Sequence, residues 1–349
     1  MAGMSLELWV AGVGLAALVA YALLGGADFG GGVWDLLASG PRATEQRRAI
    51  SRAMGPVWEA NHVWLIFLVV LLFACFPRAY AVLSVALFIP FHLALVGIVL
   101  RGSAFVFRAH GATAEAPDPR WTRVFGAASS ATPFVLGMCL GAVSSGRLRA
   151  LDGRVVSDAW SPWLGPFAWA LGALSLALCA YVAAVYLTLE TEGAVQEDFR
   201  RRALGAGLVL AVLAPLALAA ARVDAPRFWE AMTHPRAAPV LLGAAALAAL
   251  SARAVYGRWY RWGRVAAAAQ TTLIVLGWAL AQHPYVVYPD LPLAAAAAPA
   301  ASLRFFLWTL IPGGLVLLPS LALLFLVFKG VNPAGPAERT EAADAPAGV

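Results

Sequence analysis

The chain has 349 residues, of which 61% are hydrophobic and only 13% charged, against the roughly 25% charged residues of a soluble domain. Apolar stretches of about 18 residues or more recur along its whole length, each long enough as a helix to cross the ~30 Å hydrocarbon layer, so a water-soluble protein is excluded. The net charge of +6 does not mark a nucleic-acid partner, because the arginines sit in short loops between apolar runs and report topology instead.

The first apolar run, residues 6–37, continues into GGADFGGGVW without a charged leader or a small-residue cleavage site. It reads as a spanning helix rather than a signal peptide. Further runs bounded by charges and prolines cover 51–76, 80–106, 124–143, 163–187, 203–221, 239–255, 265–282 and 303–328. The expected fold class is therefore an all-α polytopic membrane protein with about nine transmembrane helices, residues 1–330 forming one integral membrane domain. Nine helices invite two four-helix bundles plus one peripheral helix. Residues 331–349, rich in Pro, Ala and acids, read as a disordered cytoplasmic tail. Cys75, Cys139 and Cys179 lie far apart inside apolar runs and read as inert packing residues.

Arginine and lysine placement sets the orientation. With the N-terminus outside, the inner loops hold groups such as Arg42, Arg47, Arg48 and Arg52, Arg200 to Arg202, and Arg253, Arg258, Arg261 and Arg264, about twice the number in the outer loops. The positive-inside rule then puts the C-terminus in the cytoplasm.

An ionisable side chain inside a spanning helix costs several kcal/mol unless it is paired, neutralised or hydrated, so each one is a functional candidate. Asp28 lies in the first span, Glu59, Asn61 and His62 in the second, and His92 in the third. Glu59 and His62 are three residues apart and share a helical face. Counting from Ser51, Glu59 sits roughly 12 Å into the bilayer from the cytoplasmic edge. Asp28, late in the first span, lies toward the same side. The structural alternatives are that Asp28 caps backbone groups freed by its glycines, that Glu59 pairs with Arg52 or Arg101, and that His62 and His92 make ordinary buried hydrogen bonds. The glycines around Asp28 lack the strand and the Lys-Ser/Thr of a phosphate loop, and in lipid they let neighbouring helices approach closely.

Residues 25–108 resemble subunit II of cytochrome bd-type quinol oxidases. GGADFGGGVW resembles the family's D-G-F-D-L-G-V-G signature, GPVWEANHVWLIFLVVLLFACFP its G-P-x-W-[DE]-x-N-x-V-W-L run, and LRGSAFVFR its R-G-x-A-F-E-F-R. Beyond Arg108 the likeness is one of length and hydropathy, plus HPYVVYPD, similar to an F-P-x-x-x-P element. The resemblance implies a chain that binds no cofactor itself and pairs with a subunit I carrying haems b and d, which oxidises quinol and reduces oxygen to water. A small accessory subunit and a structural quinone or lipid belong to the same expectation. By motif position Glu59 matches the family's proton-route acid, Asp28 the second acid of the first motif, and Trp64 a tryptophan bordering an oxygen path in some members. The sequence departs from the motifs at Gly25, where the family has an acid, at His62 and at Val106. His62, near-neutral in intrinsic pKa, is a second proton-relay candidate with Asn61 beside it. Two rival readings remain: a haem-binding cytochrome subunit of another respiratory complex, and a proton-coupled secondary transporter using Asp28 and Glu59.

Overall fold

The computed structural model describes residues 5–54, 61–110 and 118–329. Glu59 and the 331–349 tail lie outside the described residues. The elements in chain order are α1 (Leu6–Leu36), α2 (Ala43–Met54), α3 (Val63–Cys75), α4 (Pro77–Ala86), α5 (Phe88–His110) and α6 (Pro119–Ser145), then the two-residue strands β1 (Ala150–Leu151) and β2 (Arg154–Val155). They continue as α7 (Pro166–Leu187), α8 (Gly193–Asp224), α9 (Pro226–Thr233), α10 (Ala238–Tyr256), α11 (Tyr260–Gln282), β3 (Tyr285–Val287), β4 (Leu291–Pro292) and α12 (Ala300–Lys329). The strands make two small antiparallel hairpins. Among the described residues, eight helices are long and apolar enough to cross a membrane, or nine if the bent pair α3–α4 is one span.

Several helices run beyond the apolar runs read from the sequence. Hydropathy reports only the part of a helix in hydrocarbon, and α8, for instance, begins ten residues before 203 with the polar stretch GAVQEDFRRR. Two differences are larger. Of the span expected at 51–76, residues 51–54 close α2, and α3 begins at Val63. The span expected from residue 80 begins only at Phe88, because 77–86 form a separate helix bent by 119° from α3. Prolines account for the bend at Phe76 and for the late start of α5. Phe76, at φ −133° and ψ 59°, precedes Pro77, which disfavours helical geometry in the residue before it. A helix running through Pro90 would drive that ring against the carbonyl of Ala86; the chain breaks at Leu87 instead, leaving Pro90 in the first turn of α5.

The chain divides into residues 1–304 and 305–349, the second unit holding most of α12, with Pro312 and Pro319 inside that helix. Within the first unit, α1 packs against α3, α6 and α7, and α5 packs against α6. On the other side, α7 packs against α8 and α11, and α10 against α11 and α8. Two groups of helices thus meet along α1, α6 and α7. Close approach there requires glycine: a Cβ on Gly30 would collide with the carbonyl of Cys179 in α7, and one on Gly32 with the Ser129 side chain in α6. These are the glycines around Asp28, used as the small-residue seam expected in lipid. All three cysteines are free and buried.

Candidate functional site

The polar residues at membrane depth converge on the Gly32 side of this seam. Asp28 is 3% exposed and pairs with Arg101 of α5 at 2.7 Å. Asp35, fully buried, pairs with Arg108 at 2.9 Å. Both steps are seven residues, two helical turns of about 10.5 Å in all, so the acids share one face of α1 and the arginines one face of α5. Matching 28 with 101 and 35 with 108 requires the two helices to run in the same direction, as first and third spans do.

The remaining lone pairs and donors are met from other elements. Arg101 Nε donates to Ser129 Oγ at 3.1 Å and its Nη2 to the Asp28 carbonyl at 3.3 Å. Arg108 Nη2 donates to Ser51 Oγ of α2 at 2.9 Å. The Phe125 ring of α6 lies 5.2 Å from the Arg101 guanidinium and 4.7 Å from that of Arg108, and Phe29 lies 5.2 Å from Arg101. Gly32 is what admits Ser129 to this position. Charges this deep survive only with partners of this kind, and the two rungs tie α1, α2, α5 and α6 together.

Of the second-span candidates, His62 and Trp64 adjoin the Asp28–Arg101 pair through Phe29. Asn61 is 6% exposed. The His62 ring is half-buried, 5.8 Å from the Phe29 ring and 6.2 Å from Tyr21. Trp64 packs on the cluster of Tyr21, Phe29 and Cys179. His62, Trp64 and the Asp28 region therefore share one neighbourhood through Phe29. Glu59, the acid weighted most in the sequence, lies outside the described residues. His92 is elsewhere: its ring is exposed, stacks on Phe88 at 4.0 Å and donates through Nδ1 to the Phe88 carbonyl at 2.7 Å. No group of three His, Cys, Asp or Glu able to hold a metal occurs among the described residues, and the His62 and His92 rings each sit among their own aromatic neighbours.

Sequence reading does not single out Asp35, and it takes Arg108 as a motif residue in an inner loop beyond the third span, whereas Arg108 lies inside α5 and is buried against Asp35. The signal was available: identical seven-residue spacings, Asp28 to Asp35 and Arg101 to Arg108, in two apolar helices.

These features define a multi-span membrane protein whose spans are locked by two buried acid–arginine pairs beside a histidine. The model of the family "Cytochrome bd terminal oxidase subunit II" matches residues 6–328. The chain belongs to that family. It is 30% identical over 214 residues to the cytochrome bd ubiquinol oxidase subunit 2 of Bacillus subtilis, covering 59% of this chain and 60% of that one. It is 23% identical over 319 residues to a putative cytochrome bd menaquinol oxidase subunit II of the same organism, covering 88% and 91%. With the Escherichia coli cytochrome bd-I ubiquinol oxidase subunit 2 it shares 26% over 207 residues, 57% of this chain and 53% of that one. The matched region thus spans little more than half the length of two of these relatives. In fold, the chain resembles a chain in the structure of the bd oxidase from Geobacillus thermodenitrificans, with a TM-score of 0.79 at 24% identity, covering 94% of this chain and all of the other.

Proposed function

We propose that this chain is the haem-free subunit of a quinol:oxygen oxidoreductase and that it conducts protons from the cytoplasm to a haem-bearing subunit I. It would lie in the bacterial cytoplasmic membrane with its N-terminus outside and its C-terminus in the cytoplasm. The single observation that carries this reading is the family match over residues 6–328. Haems b and d, bound in the partner, supply electron transfer from quinol and reduction of oxygen to water.

The residues of this chain supply acid–base chemistry and position. Glu59 takes up the proton and His62, three residues further along the sequence, relays it, with buried Asn61 as a neutral hydrogen-bonding neighbour. Asp28, paired with Arg101, is a fixed charge at the base of the route, and its neighbour Phe29 sets the His62 ring. Trp64, packed at the same cluster, borders an oxygen path.

Glu59→Gln keeps shape and hydrogen-bonding capacity while removing the titratable proton. The assembled oxidase should retain its haem absorption and lose turnover by on the order of a hundredfold, the scale of a positioned proton-transfer group. Glu59→Asp should keep part of the rate. A Gln variant that assembles and turns over at the wild-type rate would overturn the assignment.

A further inference from the structure

We propose that the turn joining α10 and α11 seats the phosphate of an anionic phospholipid. Two candidate spans end and begin here, at Tyr256 and Tyr260. The three residues between them stay at the level of the helix ends, which is the headgroup layer on whichever side of the membrane they face. The turn is tightly bonded, with Gly257 N–H donating to the Arg253 carbonyl at 2.9 Å and Trp259 N–H to Ala254 at 2.8 Å. Arg258 is held at φ 63°, a left-handed conformation that costs a non-glycine residue free energy. A shallow open cleft of about 600 Å³ is lined by Arg258, Trp259, Tyr260, Arg261, Trp262 and Leu189.

The charge balance at this end favours an anion. Arg200, Arg201 and Arg258 share one carboxylate, Glu197, at 2.8, 3.4 and 3.5 Å. Arg253 stacks on Trp259 at 5.3 Å and Arg264 on Tyr186 at 4.6 Å, so their contacts are with rings. Arg261 is exposed and has no ion-pair partner among the described residues. Even counting Glu190 and Glu192 in the stretch that carries Leu189, six arginines face three acids. Basic pockets between spans recognise anionic headgroups in this way. The apolar half of the ligand is provided for as well: Trp262 and Val265, 69% and 59% exposed, are one turn apart on α11 and offer an apolar surface against which an acyl chain would lie. Indole rings at this depth are at home in the headgroup layer.

This proposal is independent of the proton route. The assembled complex, delipidated in mild detergent, would be titrated with dioleoyl phosphatidylglycerol and with dioleoyl phosphatidylcholine, bound lipid being counted by native mass spectrometry. Phosphatidylglycerol should bind more tightly than phosphatidylcholine. The Arg258→Gln/Arg261→Gln complex should lose that preference by on the order of ten- to thirtyfold. Arg258→Lys/Arg261→Lys, which restores charge, should keep most of it. Millimolar inorganic phosphate should leave the lipid in place, because the acyl chains contribute to its hold. Equal binding of the two lipids, an unchanged Gln double variant, or displacement by free phosphate would each overturn the proposal.

Discussion

Arg108→Leu tests whether the lower acid–arginine rung is a coupled pair or two independent side chains. The substitution strands the Asp35 carboxylate, which is fully buried and whose cation lies at 2.9 Å. It also removes the 2.9 Å bond to Ser51 and the guanidinium face over Phe125. Leaving one partner of a buried pair uncompensated costs about 3–5 kcal/mol. Both side chains are below one-tenth exposed, so solvent screening gives no reason to discount that figure. Arg47, which donates to the Asp35 carbonyl at 3.3 Å, stays nearby and puts the cost toward the lower end, about 3 kcal/mol. Asp35→Leu strands the opposite charge at a similar cost. The double variant removes both desolvated charges and should cost less than either single change, a coupling of about 3 kcal/mol or more. The assay is unfolding of the purified complex in mixed micelles with increasing dodecyl sulfate, read by tryptophan fluorescence for the four members of the cycle. Single costs that add to within about 0.5 kcal/mol in the double variant would refute the reasoning.

Gly30→Val should disrupt the α1–α7 seam, since its Cβ would strike the Cys179 backbone, with a loss of about 3 kcal/mol or more and low recovery of assembled complex. Gly12→Ala on the same helix meets nothing within 4 Å and should stay within about 0.5 kcal/mol of wild type. Asp290, in the loop after α11, accepts from Arg149 Nε at 2.8 Å and Nη2 at 3.1 Å and from Ala150 N–H at 2.8 Å, and Arg149 above all holds its carboxyl below the usual range. Its stabilising effect is therefore complete above the unfolded pKa of about 3.9 and is lost as pH falls through its lower folded value. Asp290→Asn should flatten the decline in melting midpoint below about pH 4, and an unchanged acid limb would show that the pair contributes nothing.

The sequence by itself determined that the chain spans a membrane many times, where most spans lie, and which glycines sit at a helix seam. Each of these follows from local chemistry: hydrophobic length against bilayer thickness, and the absence of a Cβ. It also drew attention to Asp28 and His62, because ionisable residues in an apolar helix stand out without knowledge of their neighbours, whereas Trp64 was singled out only by the family resemblance. Partners are a different matter. Arg101 lies 73 residues from Asp28, and Arg108 as far from Asp35, and nothing in either helix alone says which way its polar face turns. Only the packing of α5 and α6 with α1, with Ser129 admitted by Gly32 and Phe125 placed between two guanidiniums, decided that Asp28 meets Arg101 and that Asp35 is a second anchor two turns along the same helix. The bend at Phe76–Pro77 and the late start of α5 were likewise invisible to hydropathy, which averages over a window and cannot register a change of direction that two backbone angles impose.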